Sequence, residues 1–252
     1  MSAPEFERAW AVADQVEGWL SREQARLLFE RAAALAPRAT IVEIGSFRGR
    51  STIVLALAAP AGASVLAIDP HAGGDRGPRE LAAEPARGRA DLEAFEANLA
   101  AAGVRQRVVH LRLSSARALA PVTRPIDLLY VDGAHRPGPA LHDITRYGAL
   151  VAPGGVMLVH DAFSSVGVTA AILARLLGSA QFAYAGRVRS LAEYRRALGP
   201  RLPASVRARG AVAQLAQLPW FAGNVAIKLA LVAGRPALAR ALGLPAGDPW
   251  PY

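Results

Sequence analysis

The stretch Val42-Glu43-Ile44-Gly45-Ser46-Phe47-Arg48-Gly49-Arg50-Ser51-Thr52 decides how this chain is read. An apolar run over 40–44 stops at Gly45, and a helical stretch over 50–59 begins just beyond Gly49. The two glycines permit a tight turn and a close approach of backbone to a ligand. Dinucleotide-binding turns read G-x-G-x-x-G, with a middle glycine that lets a pyrophosphate approach. Phe47 occupies that place here and the spacing is Gly-x-x-x-Gly, which argues against NAD or FAD. Glu43 would bring negative charge towards a pyrophosphate, so it suits a ligand carrying an ammonium or sulfonium group. The G-x-x-x-x-G-K-[ST] phosphate loop is missing from the sequence.

Outward from this turn, short apolar runs over 64–69, 107–112, 126–132 and 155–160 alternate with helical stretches over 90–102, 139–150 and 166–178. Such alternation predicts an α/β fold with a doubly wound, mostly parallel, Rossmann-like sheet. FAYAG and SLAEYRR, separated by RVR, add a hairpin at the sheet edge. The strand ends carry acids: Glu43, Asp69, Asp132 and the pair His160-Asp161. In open α/β sheets those ends face the ligand crevice. Asp69 is placed to accept hydrogen bonds from ribose hydroxyls.

Three regions follow. Residues 1–36 form an N-terminal helical segment, with a Ser21/Gln24 capping box and a stripe of Leu27, Leu28, Arg31 and Leu35. Residues 37–198 form the α/β domain, and residues 199–252 an Arg- and Pro-containing C-terminal extension. Residues 70–90 make a Gly/Pro/Arg-rich insert directly after Asp69, read equally as a mobile lid or a disordered surface loop.

Composition narrows the classes. Apolar residues make up 52% of the 252 positions, enough for a folded core. Without cysteine there are no disulfides, thiolate metal sites or cysteine nucleophiles. The N-terminus has acids and no apolar signal core, so a cytoplasmic location is the default. The net charge of +9 comes almost wholly from arginine, Lys228 being the only lysine, and the basic residues are not interleaved with aromatics. Nucleic acid is therefore not the expected partner. Within the extension, WFAGNVAIKLALVAG is too short and too punctuated for a membrane span. Packing on the domain or on a second copy is the preferred reading, and peripheral membrane contact the sharper one.

Taken together these motifs resemble a class I S-adenosylmethionine-dependent methyltransferase over residues 40–196. The chain is most similar to the small-molecule O-methyltransferase-like family whose core reads VEIG-x-x-x-G-x-ST, D-P, DG-x-H and GG-x-x-x-x-HD. Here these are Val42–Thr52, Asp69-Pro70, Asp132-Gly133-Ala134-His135 and Gly154–Asp161. The resemblance implies cofactor contacts by Glu43, Gly45, Ser46, Gly49, Ser51, Asp69 and Asp132. Glu43, Gly45 and Ser46 would lie near the methionine moiety, Asp69 on the ribose, and Ser114, Ser115 and Ala116 beside the adenine.

Asp132 and Asp161 end neighbouring strands, and hard carboxylate oxygens suit a divalent metal, Mg²⁺ first. Metal-dependent relatives typically place a pair at the 160–161 position, which makes His160 a third candidate ligand. His135 is the candidate general base, since its ordinary pKa lies near neutrality. Some relatives carry a second acid where Ala134 stands, so the proton-acceptor role passes to its neighbour His135. His142-Asp143 is a weaker alternative; His71 shapes the insert, and His110 is structural.

The leading expectation is methyl transfer to a small-molecule hydroxyl. A sugar or glycoside is favoured by the resemblance, and a phenol stacked on Phe47, Phe95 or Phe163 comes next. The alternatives are an RNA methyltransferase, and a non-catalytic S-adenosylmethionine-binding or membrane-associated protein. A homodimer is expected from the apolar surface outside the core.

Overall fold

A computed structural model describes residues 3–74 and 82–244. The middle of the 70–90 insert, at 75–81, and the end of the extension, at 245–252, lie outside the described residues. Seven strands form one sheet: β1 Thr40–Ile44, β2 Ser64–Ile68, β3 Val108–Leu111, β4 Ile126–Val131, β5 Val151–Val159, β6 Phe182–Val188 and β7 Leu191–Arg196. Their order is β3-β2-β1-β4-β5-β7-β6. Strands β1 to β5 are parallel, while β7 runs antiparallel to β5 and pairs with β6 in the expected hairpin. Strand order reverses between β1 and β4, so the crevice of a doubly wound sheet opens at their carboxyl ends.

The strands read as unbroken apolar runs because both faces are covered. Ile41, Leu128, Tyr130 and Leu158 point to one face, and Val42, Ile44, Leu129, Val131, Met157 and Val159 to the other. The first face is covered by α1 Ala3–Ala13, α2 Arg22–Ala33, α3 Arg50–Ala58 and α4 Pro85–Ala101. The second packs against α6 Pro137–Leu150 and α7 Val166–Arg175, with the short α5 Ser115–Ala118 at its edge. A 3₁₀ turn, Arg105–Arg107, leads into β3. The extension continues as α8 Ala204–Leu215, α9 Leu218–Val232 and α10 Pro236–Ala241.

The N-terminal segment is two helices rather than one continuous unit. The capping box at Ser21 starts α2: Gln24 N–H donates to Ser21 Oγ at 3.3 Å, and Ser21 N–H donates to Gln24 Oε1 at 2.9 Å. Arg31 belongs on the buried side of α2 because its guanidinium reaches the nearly buried Glu193 carboxylate at 2.9 Å. Between the helices, Arg50 Nη1 donates to the carbonyls of Gly18, at 2.7 Å, and Leu20, at 3.2 Å. The start of α3 thereby ties down the 14–21 loop and brings Trp19 to the cleft. The insert after Asp69 is shorter than its composition implies, since Pro85 at N1 begins α4.

Candidate active site

One cleft of about 430 Å³ opens at the ends of β1, β2 and β4, a size usual for small-molecule sites. Its first wall is the turn after β1. Gly45 sits at φ +88°, and a Cβ there would lie 1.9 Å from the backbone oxygen of Asp132. Only glycine lets β1 and β4 close at this point. Phe47, at φ 46°, completes the turn, and its N–H donates to Asp69 Oδ2 at 2.9 Å. Asp69 Oδ1 accepts from His71 N–H at 2.7 Å, while the His71 ring contacts Phe47 O through Nε2 at 2.8 Å. Each Asp69 oxygen spends one acceptor position on backbone and keeps another for the cleft.

Beneath this turn Glu43 is completely buried. It shares the face of Ile41, pointing into α3, where Ser51 Oγ and Thr52 Oγ1 each donate to it at 2.5 Å. Burial raises its pKa to about 8, against the pull of those hydroxyls. Ser51 is thus directed at Glu43. Gly49, at φ +94°, lets the chain enter α3 over Phe95. Glu43, Ser46, Gly49 and Ser51 stand behind the wall, whereas Gly45, Asp69, Ser114, Ser115, Ala116 and Asp132 form its surface. Ser46 Oγ is buried without a hydrogen-bond partner.

Beside this turn, the ends of β4 and β5 carry the acids. Asp132 follows β4, and its Oδ2 accepts from Tyr130 O–H at 2.9 Å. Asp161 follows β5 at φ 55°, which turns its side chain back beside Asp132. His135 Nε2 lies 3.1 Å from Asp161 Oδ2 and 3.9 Å from Asp132 Oδ1. One ligand atom each from Asp132, His135 and Asp161 falls within 4.8 Å of the others. The sequence places His160 as third ligand beside the two acids; His135 forms a compact donor set with them, and His160 also lines the cleft. His160 is nearly buried, with Nδ1 3.2 Å from Asp132 Oδ1 and 3.5 Å from Asp161 Oδ1, in neither case aligned as a hydrogen bond.

Charge explains the arrangement. Burial opposes a positive charge on His160, yet Asp132 and Asp161 outweigh it and lift the pKa to about 9. Burial likewise opposes charge on His135, and the same two acids raise its pKa too. Asp132 feels desolvation upward, but His160 and His135 hold its carboxyl well below the usual range. Two carboxylates beside a half-buried imidazole suit a hard divalent cation, which would replace the imidazolium charge.

Three contributors escaped the sequence reading. Trp19, from the 14–21 loop, lines the cleft and packs on Phe47 with ring centroids 5.2 Å apart. Asn224 Nδ2 donates to Phe163 O at 3.2 Å, and Lys228 Nζ to Ser164 O at 3.0 Å. These two residues of α9 hold the carbonyls of the turn that begins at Asp161. Only the burial of two polar residues in an apolar stretch hinted at this. Asp143 and His142 also line the cleft near Ser115; burial raises the Asp143 pKa. His71 and His110 pack edge-on at 5.0 Å beside Phe95. Phe95 and Phe163 are fully buried, which removes them as stacking surfaces for an acceptor.

Sheet order, strand-end cleft and the turn over β1 give a Rossmann-like fold similar to that of S-adenosylmethionine-dependent methyltransferases. Residues 42–162 match the family model described as a methyltransferase domain. Solved structures share the fold. The O-methyltransferase TomG from Streptomyces achromogenes, involved in tomaymycin synthesis and solved with S-adenosylmethionine, is 23% identical at a TM-score of 0.52, covering 79% of this chain and 92% of its own. An O-methyltransferase from Bacillus cereus, solved with S-adenosylhomocysteine, is 16% identical at a TM-score of 0.52, over 77% and 90%. A protein from Corynebacterium glutamicum is 15% identical at a TM-score of 0.58, over 79% and 92%.

Proposed function

We propose that this protein transfers a methyl group from S-adenosylmethionine to a hydroxyl of a small molecule, with a sugar or glycoside as the favoured acceptor and a divalent metal, Mg²⁺ first, assisting. The observation that carries the reading is the Asp132–His135–Asp161 cluster in the same cleft as the Gly45–Asp69 turn. Gly45 and Asp69 would hold the methionine and ribose parts of the cofactor, and Ser114 and Ser115 would border its adenine. Glu43, with Ser51 and Thr52, braces the turn from below. The acceptor positions of Asp69 that face the cleft fit such a ligand.

Asp132 and Asp161 would hold the metal, with His135 beside them. When bound, the cation supplies charge that lowers the pKa of the acceptor hydroxyl. Asp132 and Asp161 fix the direction from which that hydroxyl approaches, and methyl transfer rewards a near-linear approach steeply. His135, half-buried at the cleft, is the group within reach of the hydroxyl proton and accepts it at Nε2 when that atom is unprotonated. His160 counters the charge of both acids, so two carboxylates can stand side by side.

A phenolic acceptor is the second reading, favoured by the Trp19–Phe47 pair, which offers an aromatic wall to a flat ring. The deciding assay measures methyl transfer to paired sugar and phenol acceptors with Mg²⁺ or EDTA. Turnover of sugars that EDTA abolishes is expected. His135→Ala should lower kcat about 10²-fold while S-adenosylhomocysteine still binds. Turnover indifferent to EDTA would remove the metal, and turnover of phenols alone would remove the sugar.

A further inference from the structure

Helices α8 and α9 carry an inverted pattern. Between 211 and 233 every fully exposed residue is apolar, among them Val212 at 68%, Leu215 at 45%, Leu229 at 64% and Val232 at 46% exposure. The polar side chains of the same stretch point inward. Gln214 accepts from Tyr194 O–H at 3.1 Å, Gln217 accepts from Arg187 Nε at 2.8 Å, and Asn224 and Lys228 bond the carbonyls after Asp161. A helix solvated on its outer face shows the opposite order. The stripe is continuous, because α8 and α9 join through a single turn at 216–217. It is flanked by exposed Arg207 and Arg209 at one end and exposed Arg235 and Arg240 at the other. No Asp or Glu occurs anywhere from 194 to 247.

We propose that this face docks on an anionic lipid surface, with the apolar stripe lying in the headgroup–acyl boundary and the flanking arginines on the headgroups. Charge selects this occupant. A second copy seated on the same patch by two-fold symmetry would bring arginine ends against arginine ends in either helix direction, a like-charge contact. Anionic headgroups complement them. The stretch Ala204–Val232 is long and apolar enough to cross a bilayer, with a mean hydropathy of 1.4 over its most apolar window. The inward bonds of Gln214, Asn224 and Lys228 instead keep it flat on the domain, since a spanning position would strip those polar groups of their partners. Anionic lipid enriched in the cytoplasmic leaflet places the protein on the inner membrane surface.

The test is flotation of the full chain with vesicles of phosphatidylcholine alone or with about a third phosphatidylglycerol, at about 0.1 M salt. At least about tenfold greater recovery on the anionic vesicles is expected, falling as salt is raised. L215D/L229D should abolish recovery on both, and R207E/R209E should remove the preference for anionic lipid. Melting curves of each variant establish that the fold is kept; because Arg207 also donates to the Gly178 carbonyl at 3.0 Å, R209E alone serves wherever the pair lowers the melting temperature. Absence of flotation, or equal recovery on both compositions, overturns the proposal. So does a concentration-dependent dimer that L215D/L229D dissociates without any vesicle binding.

Discussion

Asp161 concentrates the chemistry of the site in one side chain. It is buried, held at positive φ and within 3.1 Å of His135 Nε2. Asp161→Asn keeps the shape and removes the charge, so kcat/KM should fall by about 10² or more, and Mn²⁺ binding followed by electron paramagnetic resonance should weaken with it. Unchanged Mn²⁺ affinity would take Asp161 out of the ligand set. Glu43 makes a prediction of a different kind. Its pKa in the fold, about 8, lies above that of an unfolded glutamate. The unfolded chain releases this proton first, so the stability from the neutral acid is complete below about pH 4. It is then lost as pH rises towards 8, at no more than about 1.4 kcal/mol per pH unit. Glu43→Gln should flatten that part of the pH–stability curve; an identical slope in both proteins would refute the assignment.

At the scale of elements, α9 connects the extension to the site. Asn224 and Lys228 sit one helical turn apart and hold successive carbonyls, those of Phe163 and Ser164. Positive φ at Asp161 and Phe163 strains this turn, and the surroundings must hold it in place. Asn224→Ala leaves the Phe163 carbonyl without its donor, which costs about 1–3 kcal/mol. Denaturant melts should register that loss, and Mn²⁺ affinity should drop because Asp161 starts the same turn. A stability loss with Mn²⁺ affinity intact would make Asn224 a packing residue only. Sequence could not show this connection, since 61 residues separate Asn224 from the carbonyl it caps. By contrast the capping box that starts α2 was legible, because both its partners lie within four residues.

Across the whole molecule, the extension packs as part of one body. Trp220 and Phe221 lie against the same core cluster as Ile44, Phe163 and Tyr194, and Arg187 stacks over the Trp220 ring at 3.8 Å. Loss of helix followed by far-ultraviolet circular dichroism and loss of tryptophan burial followed by fluorescence should therefore coincide in a thermal melt. Two separated transitions would mean that residues 199–244 unfold independently.

The sequence by itself determined the sheet and the place of its crevice. Strands buried on both faces must be apolar runs, so IVEI, VLAI, LLYV and VMLV announce themselves, and the acid or glycine that ends each run marks the ligand edge. Gly45 was legible for the same local reason. Tertiary structure alone decided which polar groups meet. It left the His135 ring half-buried beside the acids and the His160 ring nearly buried. It carried Trp19 to the cleft through Arg50, and it turned the polar residues of α8 and α9 inward. Each of those outcomes depends on packing between segments far apart in the chain, and neither periodicity nor spacing encodes it.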